Sequence, residues 1–212
     1  DVAGNESDWC PVWTFTVDTV VPEIPTLLTP TDGTFTNNTT PTFTWDLVSG
    51  ATSYEIQVDD NANFGTPVVE ETVATASHTA AVMAEGSYQW RVKAIDAAGN
   101  ESDYSLVWMV DVDTTAPDAP VITAPNTGTI TNDNTPMVSG TAEANSVVAI
   151  LEAGVLTSTV NADANGAWST TLSTLLDGSY EFTATATDAA GNTSVASMIV
   201  SIEVDTVAPE AP

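Results

Sequence analysis

Apolar residues recur at every second position in short runs along this chain, and clusters of Gly, Asn, Asp and Pro cut the runs apart. Phe43 and Trp45 share one face of 40–45. Tyr54, Ile56 and Val58 share a face of 54–58, and Tyr88, Trp90 and Val92 share one of 87–92. Alternation of this kind predicts half-buried β-strands. Further strands are expected over 106–112, 135–141, 146–152, 167–172, 179–187 and 198–204. Asn165-Gly166 reads as a type I′ hairpin turn ahead of 167–172. Helical spacing is nearly absent, so the predicted fold class is all-β.

One stretch of about 25 residues is written three times. Asp1, Asp96 and Asp188 open the copies, at offsets of 95 and 92 residues. Each copy runs from D-x-A-G-N through an apolar strand to V-D-T-x-x-P. A period near 93 residues is the size of one small β-sandwich. We read 22–113 and 114–205 as two complete domains, 1–21 as the closing strand and linker of a preceding domain, and 206–212 as a linker to a following one. On that reading the chain is a slice of a longer tandem array. The change of offset places a loss of about three residues in the middle strands of the second domain.

Two positions sharpen the fold. Glu85-Gly-Ser-Tyr-Gln-Trp90 and Asp177-Gly-Ser-Tyr-Glu-Phe182 share the pattern acid-Gly-Ser-Tyr-x-aromatic. In immunoglobulin-like sandwiches a tyrosine stands two residues before the second core cysteine and forms the tyrosine corner. Tyr88 and Tyr180 fit that place, and Trp90 and Phe182 take the cysteine position. At this point the chain resembles known families. GTAEANSVVAILEAG, NGAWSTTL and DGSYEFTATATDAAGNTS in 114–205 resemble the bacterial Ig-like repeats of giant surface adhesins. PTFTWDLVSGATSYEIQV and YQWRVKAIDAAGNES in 22–113 are similar to bacterial fibronectin type III-like modules. The resemblance implies tandem immunoglobulin-like and fibronectin III-like sandwiches in an elongated array, exposed at a bacterial surface and often stiffened by calcium.

Charge narrows the partners. The chain has 29 Asp plus Glu against two basic residues and a formal net charge of −27. Nucleic acid needs basic patches that release counterions from phosphate, and two basic residues cannot build one. Anionic membrane surfaces are disfavoured for the same reason. No apolar run approaches the roughly 18 residues of a membrane span. Charge of one sign repels itself unless cations neutralise it. Millimolar calcium and high salt both supply such cations, and a solvated acidic surface that keeps the chain soluble is the third reading. Cys10 is the only cysteine, so no disulfide forms within the chain. With the resemblance, these features place the protein outside the cell, at a bacterial surface or secreted.

Acidic residues near the junctions are the candidate site. In this topology the last strand of one domain ends at one pole, and two loops of the next domain face the linker. Between the two domains this brings Asp111 and Asp113 of the linker towards Glu143 and Asp188. At the first junction it brings Asp18 towards Asp46 and Asp96, and Asp205 waits at the far end. Carboxylates converging from two domains would suit calcium, which takes six to eight oxygens. The alternative is that Asp96 and Asp188 cap a tight turn before Gly99 and Gly191 while the linker acids are only solvated. Asp59-Asp60-Asn61-Ala62-Asn63 resembles the start of an EF-hand loop, with Glu70 at position twelve, but Phe64 stands at position six in place of the Gly that the sharp turn there needs. His78 stands alone, which argues against zinc. No G-x-S-x-G elbow or phosphate loop occurs.

The leading expectation is a non-catalytic extender in a large adhesin, its partners being neighbouring repeat domains of the same chain. A second is a set of carbohydrate-binding accessory modules on an extracellular polysaccharide-degrading enzyme. A third is a filament or surface-layer subunit that self-associates through residues 9–18. There Trp9, Trp13, Phe15 and Val17 would complete a neighbour's sheet.

Overall fold

The computed structural model describes residues 2–211. It contains two β-sandwiches in tandem and, among the described residues, no helix. The first sandwich holds β1 (Leu27–Thr29), β2 (Thr34–Thr36), β3 (Thr42–Trp45), β4 (Ala51–Asp59), β5 (Val69–Val73), β6 (Ser77–Thr79), β7 (Gly86–Asp96) and β8 (Trp108–Val112). The second holds β9 (Val121–Ala124), β10 (Thr129–Thr131), β11 (Met137–Thr141), β12 (Val147–Glu152), β13 (Val155–Asn161), β14 (Ala167–Thr171), β15 (Gly178–Thr187) and β16 (Val200–Val204).

The two sandwiches share one topology. A three-stranded sheet, β1-β3-β6, faces a five-stranded sheet, β2-β8-β7-β4-β5. Their counterparts are β9-β11-β14 and β10-β16-β15-β12-β13. The first edge of each domain is split between the sheets: β1 pairs antiparallel with β3, while β2 pairs parallel with β8. β2 therefore ends beside the end of β8, and residues 36 and 113 lie side by side where the chain leaves the domain. Asp113 N–H donates to the Thr36 carbonyl at 3.0 Å, and Asp205 N–H donates to Thr131 at 2.9 Å.

The apolar alternation fills the space between the sheets. Phe43, Ile56, Val58, Trp90, Val92 and Val110 are fully buried in the first core. Phe43 and Trp90 meet at 5.0 Å between ring centroids, a contact worth about 1 kcal/mol beyond simple burial. In the second core Gly140 stands where the first has Trp45. A Cβ there would lie 2.0 Å from the Val121 carbonyl and 2.6 Å from the Trp168 ring. The indole that β3 supplies in one sandwich thus comes from β14 in the other. Both tyrosine corners are present: the Tyr88 hydroxyl donates to the Ala84 carbonyl at 3.0 Å, and Tyr180 donates to Leu176 at 2.8 Å.

Two expectations change. The Asn165-Gly166 turn joins β13 to β14, which lie in different sheets, so it is a crossover and not a hairpin. Asp163 organises it, its carboxylate accepting the N–H groups of Asn165 and Ala167 at 2.8 and 2.9 Å. The two-residue hairpin lies at Ala153-Gly154 between β12 and β13, with φ of 46° and 83°, the paired positive values of a type I′ turn. In the first sandwich residues 60–68 make the same connection, so the second is shorter here, and part of the difference is returned by a longer β13, β14 and the connection between them. The closing strands also start later than the alternation implies, at Trp108 and Val200. Ser105 and Ser197 hydroxyls accept the N–H groups of Val92 and Ala184 at 3.1 and 2.9 Å. Ser102 and Ser194 do the same for Ala94 and Ala186, both at 2.9 Å. The N–H groups of the same four serines still donate to the carbonyls of these residues, so side-chain oxygens replace only the accepting half of the ladder until regular pairing resumes at Trp108 and Val200.

Candidate functional site at the joint between the sandwiches

The linker after β8 is held first by its own sandwich. Thr114 donates to the Glu85 carboxylate from its N–H at 3.2 Å and its hydroxyl at 3.0 Å, and the Thr115 hydroxyl donates at 2.9 Å. Donation from Thr115, then Thr114, keeps the Glu85 carboxyl below the ordinary range. Asp177 holds Thr206 in the same way, at 2.9 and 2.8 Å. The acid of the acid-Gly-Ser-Tyr pattern is therefore a linker anchor. The linker aspartates bend the chain locally: Asp18, Asp113 and Asp205 each accept the N–H two residues on, at 3.0, 2.9 and 3.0 Å.

The second sandwich grips this linker with the turn 188–192. Gly191 holds φ at +93°, which lets the chain reverse sharply. Inside the turn Asp188 accepts the Asn192 N–H and, at 2.9 Å, the Asn192 side-chain amide. The same amide nitrogen donates to the Asp113 carbonyl at 2.8 Å. A second bond crosses the joint: the Asn37 N–H, one residue past β2, donates to the Ala190 carbonyl at 3.1 Å. Ala190 is buried. Partial desolvation pushes the Asp188 carboxyl up, but donation from Asn192, Gly191 and Ala190 outweighs it and holds it below the usual carboxylate value.

The turn 96–100 has the same five residues and the same internal bonds. The Asn100 amide donates to Asp96 at 2.8 Å and to the Asp18 carbonyl at 3.1 Å. Donation from Asn100 is the main reason the Asp96 carboxyl also lies low. Asp18 and Asp96 line one cavity of about 170 Å³ with Ser49 and Gly50.

The predicted acids thus meet in pairs, Asp18 with Asp96 and Asp113 with Asp188. Asp111 instead accepts the Ser87 hydroxyl on its own sheet. Glu143 lines a separate surface cavity beside Asp118. Asp46 is absent from the cavity that holds Asp18 and Asp96. Asp205 lies at the opposite end of the second sandwich. Among the described residues no three His, Cys, Asp or Glu side chains gather as a metal group. At the second joint two oxygens lie within 2.8 and 2.9 Å of one point, and an amide nitrogen occupies it. Calcium takes six to eight oxygens at about 2.3–2.6 Å, so the arrangement is not a ready-made calcium cage. The residues that hold the joint, Asn100, Asn192, Asn37 and Glu85, are not among the acids singled out by charge. Asparagine at the fifth place of every D-x-A-G-N copy was the signal for two of them.

Elsewhere, Arg91 lies between the rings of Phe64 and Tyr104 at 4.0 and 3.9 Å and donates to Gln57. Lys93 bridges Glu55 and Glu101 at 3.2 and 2.7 Å, and the Tyr104 hydroxyl donates to Glu55. Burial first, then the bond to Glu55, pushes the Tyr104 hydroxyl up to about 12. In the EF-hand-like stretch, Asn61 and Asn63 side chains accept backbone N–H groups, and Asp59 is buried at the end of β4. Residues 9–18 form no strand, and Trp9, Trp13 and Phe15 are exposed.

The split first edge, the tyrosine corners and the repeated topology define a pair of immunoglobulin-like sandwiches. The sequence model of the bacterial Ig-like domain matches residues 29–114 and 123–206, and the chain belongs to that family. It is 34% identical over 200 residues to chitinase A1 of Niallia circulans, covering 88% of this chain and 26% of that protein. The chain thus spans about a quarter of this curated relative. Among solved structures, the fibronectin(III)-like modules of Clostridium thermocellum CbhA superpose with a TM-score of 0.56 at 19% identity, over 85% of this chain and 93% of theirs. The FN1–FN3 domains of chicken CNTN1 give 0.53 at 19% identity, over 87% and 66%. These two likenesses concern the fold alone.

Proposed function

We propose that this chain is a non-catalytic extender in a large bacterial cell-surface or secreted adhesin, setting both the distance and the angle between its neighbours. The observation that carries this reading is the linker gripped from both sides, by Glu85 of one sandwich and Asn192 of the next. A linker held only at its ends would let the domains swing, whereas bonds along its length restrict the angle. The test is a pair of spin labels, one per sandwich, with Cys10 replaced by Ser. A single narrow distance peak is expected; a broad distribution like that of a free tether would sink the proposal.

Calcium belongs to the proposal in a definite form. An ion at the joint would displace the Asn192 amide from between Asp188 and Asp113 and draw in further oxygens. A higher melting temperature in millimolar calcium than in excess chelator is the expected result, and identical curves would remove the ion from the account.

A second reading is supported by the relationship to chitinase A1: accessory modules of an extracellular polysaccharide-degrading enzyme. Residues 9–18 carry the exposed aromatic rings such modules use, and also the surface a self-associating filament subunit would use. Binding on a glycan array that disappears with Trp13→Ala would favour the accessory reading. Concentration-dependent association lost in the same variant would favour the filament.

A further inference from the structure

We propose that the far end of the second sandwich is a preformed socket for the D-x-A-G-N turn of a following sandwich of the same kind, built from the Asn132 N–H and the Asp205 carbonyl. This rests on the extender reading and names the partner and the atoms of its joint.

The argument compares the two ends that face along the chain. At the occupied joint the turn 188–192 meets the Asn37 N–H and the Asp113 carbonyl. Asn132 and Asp205 stand at the corresponding places. The bonds that position the first pair recur around the second, except the Thr115 hydroxyl bond to Glu85, since Val207 stands in the place of Thr115. Asp113 N–H donates to Thr36, as Asp205 does to Thr131, at 3.0 and 2.9 Å. The N–H groups of Asn38 and Asp133 donate to the hydroxyls of Thr36 and Thr131 at 3.1 and 3.0 Å. Those of Thr40 and Thr135 donate to the side chains of Asn38 and Asp133, both at 2.9 Å. Glu85 holds Thr114 as Asp177 holds Thr206. The scaffold is reproduced without the turn in place, so docking pays little ordering entropy.

Apart from that hydroxyl, the two docking bonds are what differ. Among the described residues the Asn132 N–H and the Asp205 carbonyl have no hydrogen-bond partner, and Asn132 is exposed. The complementary half is present at the other end, where the Ala98 carbonyl of the turn 96–100 has no donor and Ala98 is exposed while Ala190 is buried. Turn and socket are different surfaces, so the contact is head-to-tail and continues along an array without closing on itself. The occupant is therefore the turn of the next sandwich in line and not a second free copy of the chain, whose turn 96–100 is already engaged by Asp18.

Amide hydrogen exchange by NMR tests this in two stages. In the chain as it stands, Asn37 is expected to exchange about tenfold more slowly than Asn132. The chain is then extended by repeating residues 121–205 directly after Pro212. Exchange at Asn132 is expected to slow to the rate of Asn37, and Asn192→Ala in the added copy is expected to restore the fast rate. If Asn132 stays fast beside an added sandwich that is folded, the socket is overturned. Slowing at Asn132 that rises with the concentration of the unextended chain would also overturn it, in favour of docking between free copies. Either result leaves the spin-label distance between the two existing sandwiches, and with it the extender reading, untouched.

Discussion

The turns 96–100 and 188–192 are both Asp-Ala-Ala-Gly-Asn, yet Ala98 is exposed and Ala190 is buried. Each turn binds the linker before it through its asparagine amide. Only the second also meets the edge of a neighbouring sandwich, through Asn37. The difference separates two layers of the joint. The grip on the linker is local and forms wherever a turn follows a V-D-T segment. The bond to Asn37 is tertiary and needs the preceding domain in place.

The largest expected effect comes from Asn192→Asp. It replaces a donor with a carboxylate facing the Asp188 carboxylate and the Asp113 carbonyl. A loss of about 2 kcal/mol at the joint is expected, seen as a broadened distance between spin labels on the two sandwiches. Restoration by calcium would show that a cation takes the place of the amide; no restoration would leave the amide as the whole device. Gly191→Ala and Gly99→Ala come next. Their φ values of +93° and +87° each impose a left-handed strain of about 1 kcal/mol on alanine. The two should cost the same in thermal melts, because a Cβ on Gly191 would stand 3.6 Å from the Asn37 side chain, an ordinary contact. A much larger cost at Gly191 would mean the docked turn is packed more tightly than this.

A smaller contrast is expected from Asn100→Ala and Asn192→Ala. The second should accelerate amide exchange at Asn37, and the first should leave it unchanged. The smallest effect is that of pH near neutrality. Asp96 and Asp188 lie below their ordinary value of 3.8 in the folded protein. A depressed carboxyl adds stability that is fully present above its unfolded value and fades as pH falls through the folded one. The joint should therefore hold from pH 7 to 5 and loosen below about 3.8, as read by the same spin-label distance. Loosening near pH 6 would point to another group.

The sandwiches are legible in the sequence because burial imposes a period of two on strands such as Tyr54 to Val58. The tyrosine corners are legible because a phenol has one place to donate. Strand starts at Trp108 and Val200 are not legible, because Ser105 and Ser197 intercept the ladder with side chains that alternation does not register. The Asn165-Gly166 dipeptide misleads for a related reason: Asp163, two residues earlier, sets the turn. The joint was legible as a place and not as a chemistry. Charge draws the eye to Asp113 and Asp188, whereas a neutral amide and backbone atoms carry the contact.

Residues 60–68 and the Ala153-Gly154 hairpin, where the two repeats differ most in length, bridge middle strands and supply none of the atoms bonded across the joint. A run of such sandwiches joined through the same atoms is generated by one repeated screw operation, a rotation and a rise fixed at the joint. Insertions in the body of a repeat can then change its girth and its side surfaces without altering the pitch of the thread. Evolution is free to decorate each step of such a rod while its far end keeps a constant bearing.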